Sequence, residues 1–161
     1  MKILAIDPGY ERMGMAALQK TARGEMVLAS ACFKTSSKLP FPERILLLGC
    51  ELGAWIEKWK PEALAIETLF FNTNQKTAMR VSEARGAILY EAKRHGLHVF
   101  EYTPLQVKIA ITGDGRAGKE RVTVMLKKLV VVEKKVEYDD EYDAIAVGLA
   151  HFASKSFPQR Q

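Results

Sequence analysis

Two short apolar runs, each ending in a carboxylate, constrain the fold of this chain most strongly. KILAID (2–7) ends in Asp7 just before Pro8-Gly9, and ALAIE (63–67) ends in Glu67. Apolar runs of this length that are bounded by turn residues are typical of buried strands. Three more strands are predicted, at MGMAALQK (13–20), EMVLASACFK (25–34) and HVFEY (98–102). The first three strands are joined by short turn-prone segments, which predicts an antiparallel meander.

Apolar residues at helical spacing fill most of the remaining chain. They predict helices from Pro42 to Lys60, from about Asn74 to His95 with Gly96 as its C-cap, and over KERVTVMLKKL (119–129) and AIAVGLAHFA (144–153). Strands joined through helices predict an α/β fold with a five-stranded mixed sheet flanked by helices. A length of 161 residues with 48% hydrophobic content fits a single domain spanning residues 1–161.

The strand-end carboxylates are the first candidates for a functional site. In open α/β sheets, ligands bind at the carboxyl ends of the strands, where Asp7 and Glu67 are placed. For Asp7, a simple turn role before Pro-Gly is a serious alternative. That alternative is weaker for Glu67, because glutamate is poorly suited to turns and apolar residues continue beyond it.

A third acidic cluster opens the apolar helix near the end of the sequence. Asp140 and Asp143 are three residues apart, so both face the same side of that helix. Acids in a first turn also cap a helix and complement its dipole, but one cap explains only one of them. Four converging carboxylates would need cations, and oxygen ligands suit Mg²⁺ or Mn²⁺ and not zinc. Two ions about 3.5 to 4 Å apart would form a two-metal site for phosphodiester cleavage.

The net charge of +5 is concentrated in one stretch of the chain. Residues 103–135 hold eight basic and three acidic side chains, while residues 137–143 hold five acids and no base. A basic surface beside an acidic pocket suits an enzyme that acts on a polyanion, although lysines that merely solvate a helix would look similar. The apolar runs are too short to span a membrane and the two cysteines fit no metal spacing, so we expect a cytoplasmic protein.

The segment 113-GDGRAGKE-120 matches the glycine and lysine positions of a phosphate-binding loop. However, Glu120 stands where such a loop needs Ser or Thr, and the segment does not follow an opening strand. An ATP site is therefore not expected. The segment is interpreted as a turn that brings Lys119 to a basic surface suited to the phosphates of a polyanion.

The order of these motifs resembles a known family over nearly the whole chain. Asp7 in IDPG, Glu67 in IE and the D-x-x-D-A-x-A pattern from Asp140 resemble the RuvC-type crossover junction endodeoxyribonucleases, which have a ribonuclease H-like fold. The stretch 107-VKIAITGDGRAGKERV-122 is also similar to a segment of that family. The resemblance implies a homodimer that nicks two opposing strands of a four-way (Holliday) DNA junction, uses Mg²⁺ and cooperates with a branch-migration complex of the RuvA-RuvB type.

The resemblance also implies roles for individual residues. The metal ligands would be Asp7, Glu67, Asp140 and Asp143. Lys108 and Lys119 would hold the scissile phosphate or stabilise its developing charge. Phe70 would stack on junction bases, with core packing as an equal alternative. Further DNA contacts are expected from basic side chains near these motifs, namely Lys76, Arg80, Arg85, Arg116 and Arg121.

Several points stay open at the level of the sequence. Asp139 competes with Asp140 as a ligand, and His151, two turns beyond Asp143, either faces the site or packs inside the protein. Tyr142 stands where that family more commonly has a small residue. Two other functions also fit the sequence: a ribonuclease H-like nuclease acting on RNA or other DNA structures, and a non-catalytic nucleic-acid-binding module.

Overall fold

A computed structural model of the protein describes residues 1–69, 75–132 and 136–156, and its centre is one mixed sheet. The strands are β1 (Lys2–Asp7), β2 (Arg12–Thr21), β3 (Gly24–Lys34), β4 (Ala63–Glu67) and β5 (His98–Tyr102). They lie in the order β3-β2-β1-β4-β5. The pairs β1–β2 and β2–β3 are antiparallel, whereas β1–β4 and β4–β5 are parallel. The predicted five-stranded mixed sheet with an antiparallel start is confirmed.

Helices cover both faces of this sheet. They are α1 (Phe41–Trp59), α2 (Gln75–Arg94), α3 (Pro104–Thr112), α4 (Lys119–Leu129) and α5 (Asp139–Ser156). The left-handed conformation of Lys60 ends α1 just before Pro61, and Gly96 takes a positive φ of 75° after α2. A capping box between Thr103 and Gln106 starts α3, whose bounds the sequence pattern did not define. None of the helices in the described residues is long and apolar enough to cross a membrane.

Strand alternation decides which side chains face which helices. In β1, Ile3 and Ala5 belong to the core under α3, α4 and α5, whereas Leu4 and Ile6 belong to the core under α1 and α2. Because side chains alternate with a period of two, Asp7 continues the face of Ile3 and Ala5. β4 follows the same alternation, so Glu67 also faces the side covered by α5.

Small residues let α5 pack closely on the sheet. Its alanines are buried against Ala5, Ala16 and Ala65 in one core cluster. A Cβ atom at Gly148 would lie 2.4 Å from Leu18 Cδ1 and 3.2 Å from Ala5 Cβ, so a larger residue there would force its neighbours to move. The close approach of helix and sheet explains why AIAVGLAHFA is so rich in alanine and glycine. It also brings the first turn of α5 to the edge where β1 and β4 end.

Candidate active site

The two strand-end carboxylates lie side by side at one edge of the sheet. β1 and β4 are parallel neighbours, with Ile6 paired to Ile66, and Asp7 and Glu67 are the next residue of each strand. Both side chains are partly buried and face α5. The pairing of β1 with β4 therefore brings together Asp7 and Glu67, which lie 60 positions apart in the sequence.

The first turn of α5 brings the other two acids to the same edge. Gly14 of β2 is paired with Asp7, and a Cβ atom at Gly14 would lie 2.0 Å from the carbonyl oxygen of Asp140. The same Cβ would lie 3.2 Å from Asp7 Cβ. Asp140, the second residue of α5, thus lies directly above Gly14 and beside Asp7. The missing side chain of Gly14 creates the space for this contact.

Replacing Gly14 with alanine is expected to push α5 away from the sheet. The overlap with Asp140 concerns backbone, which cannot rotate aside, so the free energy of unfolding should fall by roughly 1 to 3 kcal/mol. Gly49 in α1 is the matched control, because a Cβ atom there meets nothing within 4 Å. Gly49→Ala should stabilise the protein by roughly 0.5 to 1 kcal/mol. Urea titrations of both variants test this, and an equal response of the two would contradict the close approach at Gly14.

Electrostatics shows that these carboxylates act on one another. The pKa of Asp7 is raised to about 8, chiefly by burial and then by the negative charges of Glu67, Asp143 and Asp140. Burial and the charge of Asp143 raise the pKa of Glu67 to about 7. The pKa of Asp143 is also raised, chiefly by burial. A group of acids that shift each other's pKa in this way carries negative charge that the protein does not fully neutralise.

Two lysines supply positive charge at this edge. Lys119, the first residue of α4, places Nζ 2.9 Å from Asp143 Oδ2 and 3.5 Å from Asp139 Oδ2. Lys108 of α3 lies close enough for its charge to lower the pKa of Glu67, against the larger effect of burial. In the loop 113–118, Asp114 accepts a hydrogen bond from Arg116 N at 2.9 Å, and its other carboxylate oxygen pairs with Arg121 of α4 at 3.0 Å, which ties the loop to that helix.

The chemistry of the donor set fits a hard divalent cation. Asp7, Glu67, Asp140 and Asp143 offer only carboxylate oxygens, the ligands that such a cation prefers. Burial and neighbouring negative charges raise the pKa values of Asp7, Glu67 and Asp143, and a bound cation would stabilise their ionised forms. Within the described ranges, the side chains as they stand include no group of three or more His, Cys, Asp or Glu that could hold a metal ion. In this arrangement Asp143 is instead paired with the ammonium group of Lys119.

Comparison with known proteins identifies the family. The family model described as "Crossover junction endodeoxyribonuclease RuvC" matches residues 3–151. The chain belongs to the RuvC family. The RuvC protein of Desulfitobacterium hafniense (strain DSM 10664 / DCB-2) is 41% identical over 160 residues, covering 99% of this chain and 97% of the relative. That of Alkaliphilus metalliredigens (strain QYMF) is 43% identical over 157 residues, covering 98% and 96%.

Solved structures of RuvC proteins share the fold. The Thermus thermophilus RuvC structure is similar to this chain with a TM-score of 0.88 and 30% identity, covering 97% of this chain and 96% of that one. Thermus thermophilus RuvC in complex with Holliday junction substrate gives a TM-score of 0.89 and 31% identity, with coverage of 96% and 94%. The yeast mitochondrial Holliday junction resolvase Ydc2, at 13% identity and a TM-score of 0.69, shares the fold alone. The predicted ribonuclease H-like fold and the predicted RuvC resemblance are thus confirmed.

The structure shows the surroundings of Asp139 and His151, the two residues whose roles the sequence left open. The Asp139 side chain is 77% exposed and reaches only Lys119, while Asp140 is 20% exposed and lies against β2. His151 is fully buried, with Nδ1 2.8 Å from the Tyr102 hydroxyl, and it packs against Phe100. Asp140 therefore belongs to the carboxylate group, and His151 belongs to the core.

The basic residues expected to bind DNA fall into two groups. Arg80, Arg116 and Arg121 are exposed, although Arg121 is ion-paired with Asp114 at 3.0 Å. Arg85 is largely buried instead: its Nε donates to the Glu67 carbonyl at 3.2 Å and its Nη2 pairs with Glu101. In this RuvC-family chain Arg85 thus holds the backbone of a candidate ligand. Phe70 and the side chain of Lys76 lie outside the described residues.

Sequence reasoning missed several side chains that touch the first turn of α5. Arg12 Nε lies 3.5 Å from Asp140 Oδ2, and Cys32 Sγ lies 3.9 Å from the same oxygen. Glu141, next to Asp140, is buried and accepts a hydrogen bond from Ser30 Oγ at 2.8 Å. The D-x-x-D motif contains one signal for these contacts. Glu141 is an acid at a position that faces the inside of an otherwise apolar helix.

Proposed function

We propose that this chain is a metal-dependent endonuclease that resolves four-way DNA junctions by paired symmetric nicks. The observation that carries the proposal is the convergence of Asp7, Glu67, Asp140 and Asp143 at one sheet edge, where burial and neighbouring negative charges raise the pKa values of Asp7, Glu67 and Asp143. Membership of the RuvC family supports the choice of substrate, since a relative with a TM-score of 0.89 was solved with Holliday junction substrate.

The four carboxylates would hold two Mg²⁺ ions, with Mn²⁺ as a substitute. Bound in this way, the ions would activate a water molecule and stabilise the leaving oxygen of the phosphodiester. The protein's own part is to place charge. Lys119, now paired with Asp143, and Lys108, near Glu67, would hold the scissile phosphate against the carboxylates.

The same proposal covers how the junction is held. The exposed Arg80, Arg116 and Arg121 would contact the DNA backbone around the cleavage site. A homodimer would place two identical sites across a junction that itself has two-fold symmetry, so that opposing strands are nicked. Cooperation with a branch-migration complex of the RuvA-RuvB type and action in the cytoplasm during recombination and repair complete the proposed function.

A substrate panel tests this function directly. Purified protein with Mg²⁺ is incubated with a four-way junction, a linear duplex of the same sequence and an RNA-DNA hybrid. We expect nicks at symmetric positions in two opposing strands of the junction and no cleavage of the duplex. Equal cleavage of the hybrid would indicate a broader ribonuclease H-like nuclease. Junction binding with no cleavage in Mg²⁺ or Mn²⁺ would indicate a non-catalytic binding module.

A further inference from the structure

The edge strand β3 presents a row of polar side chains to the start of α5. Ser30, Cys32 and Lys34 are spaced two apart, so they lie on one face of the strand. Each contacts a different residue around the first turn of the helix. Ser30 Oγ donates to Glu141 Oε2 at 2.8 Å, Cys32 Sγ lies 3.9 Å from Asp140 Oδ2, and the Lys34 ammonium donates to the Tyr138 hydroxyl. We call Ser30, Cys32 and Lys34 the β3 row.

A break in strand pairing turns this row toward α5. Ala29 pairs with Ala17 but Val27 pairs with Leu18, so one extra residue, Leu28, is inserted in β3. A one-residue slip moves every later side chain to the opposite face of the sheet. Before the slip Val27 packs in the core under α5, and after it Ala31 packs in the core under α1 and α2. Bulges of this kind often redirect side chains beside functional sites.

The β3 row lies in the same sheet as Asp7, separated from it by β2. Cys32 is paired across the sheet with Gly14, and Gly14 is paired with Asp7. Asp140 rests on Gly14, so the row and Asp7 approach Asp140 from the two sides of this gap. Arg12, which is paired with Lys34, adds a second contact to the Asp140 carboxylate at 3.5 Å.

Directional contacts at the first turn of α5 supplement its apolar packing and the buried hydrogen bond between His151 and Tyr102 further along the helix. The alanine-rich face of α5 gives contact area without fixing one position along the sheet. The buried hydrogen bond from Ser30 to Glu141 is directional, and a buried carboxylate that loses such a bond is costly. The Lys34 ammonium also sits 3.6 Å from the centre of the Tyr138 ring, which fixes the residue just before the helix.

We propose that the β3 row positions Asp140 relative to Asp7 and thereby sets how tightly the site holds a divalent cation. The residues of the row are positioning residues, since they act through Glu141, Asp140 and Tyr138 and not on the substrate. This inference rests on the proposed nuclease function, in which Asp140 is a metal ligand. It adds an edge strand, distant in the fold from β4 and Glu67, to the determinants of metal affinity.

The test compares two double variants with matched residue types. Ser30→Ala/Lys34→Met removes two contacts of the row, whereas Ser36→Ala/Lys38→Met changes exposed residues in the turn after β3. Calorimetric titration of each metal-free protein with Mn²⁺ gives the metal affinity without any turnover. We expect the row variant to bind Mn²⁺ about 10-fold more weakly, as is typical when groups that orient ligands are lost. The control variant should match the wild type.

Two further measurements and two single variants distinguish a positioning role from general damage to the protein. The row variant should need more Mg²⁺ for half-maximal cleavage while its affinity for a four-way junction in EDTA stays at the wild-type value. The single variant Ser30→Thr keeps the hydroxyl, so its affinity for Mn²⁺ should equal that of the wild type. Lys34→Met alone changes an exposed side chain and tests the row even if Ser30→Ala impairs folding.

The outcomes distinguish this inference from the function on which it rests. Wild-type Mn²⁺ affinity in both the double variant and Lys34→Met would overturn the role of the row and leave the nuclease function intact. A wild-type protein that neither binds Mn²⁺ nor cleaves the junction would instead overturn the proposed function, and the inference with it. Weakened metal binding together with equally weakened junction binding would show a structural role only.

Discussion

Asp7→Asn is expected to abolish junction cleavage while leaving junction binding intact. Asp7 is surrounded by Glu67, Asp140 and Asp143, and the amide would remove one anionic ligand without changing the size of the side chain. We expect a fall in the single-turnover cleavage rate on the order of 1,000-fold, which corresponds to about 4 kcal/mol of transition-state stabilisation. The measurement is strand cleavage with saturating protein, alongside a binding titration of the same junction in EDTA.

Glu57→Gln is the matched control for this loss. Glu57 is an exposed acid on α1, and its replacement removes the same unit of charge away from the site. Its cleavage rate and junction affinity should equal those of the wild type. Undiminished cleavage by Asp7→Asn would contradict the assignment of the site. If that variant loses binding and cleavage together, Asp7 serves the fold and not the chemistry.

The second large effect is on stability and follows from the raised pKa values. In the folded protein Asp7 has a pKa of about 8 and Glu67 of about 7, both above the ordinary carboxyl values that they regain on unfolding. Between the ordinary carboxyl pKa values and about 8, the folded state binds more protons through these two groups than the unfolded state does. Their contribution to stability is therefore fully present below the ordinary values and is lost as the pH rises to about 8. Metal-free wild-type protein should therefore unfold at a lower temperature at pH 9 than at pH 6.

Asp7→Asn should remove much of this pH dependence. At pH 9 in EDTA the variant should be more stable than the wild type by roughly 1 to 3 kcal/mol, a value below the full pKa shift because Asp7 keeps some contact with water. For a chain of this size this raises the unfolding temperature by roughly 3 to 10 °C. At pH 9, Mg²⁺ should stabilise the wild type and have little effect on the variant, because a ligand that binds only the folded state adds to stability. Scanning calorimetry tests both statements, with Glu57→Gln as the control. A variant that is less stable than the wild type at pH 9 would show that ionised Asp7 does not destabilise the folded protein.

The sequence predicted the carboxylate group because simple periodicities determine it. Two apolar strands that each end in an acid, joined in parallel, place Asp7 and Glu67 at one edge whatever the surrounding detail. The spacing of Asp140 and Asp143 puts both on one side of a helix whose apolar remainder must pack on the sheet. The five-stranded mixed sheet with an antiparallel start followed from the same patterns, whereas the ribonuclease H-like fold was implied by the resemblance to the RuvC-type family.

Other parts of the site depend on contacts that no periodicity encodes. The β3 row faces α5 only because Leu28 interrupts the pairing with β2, and an inserted residue leaves no mark in a strand of alternating small side chains. Arg85 resembled a surface cation, yet its position inside α2 lets it reach the Glu67 carbonyl and Glu101. Pairings between residues far apart in sequence are set by the final packing, which the local pattern does not contain.

The distance along the chain between Asp7 in β1 and Asp143 in α5 has a consequence for biosynthesis. The contacts between the first strand and this helix close almost the longest loop available in the chain, and such contacts form late because of the entropy that they cost. During translation, Asp7 and Glu67 leave the ribosome well before residues 139–143 have been added. Until α5 emerges and docks, the growing chain thus carries only two of the four candidate ligands, Asp7 and Glu67. A nuclease site of the proposed kind, assembled in this order, would stay incomplete until α5 docks, without an inhibitor or a separate activation step.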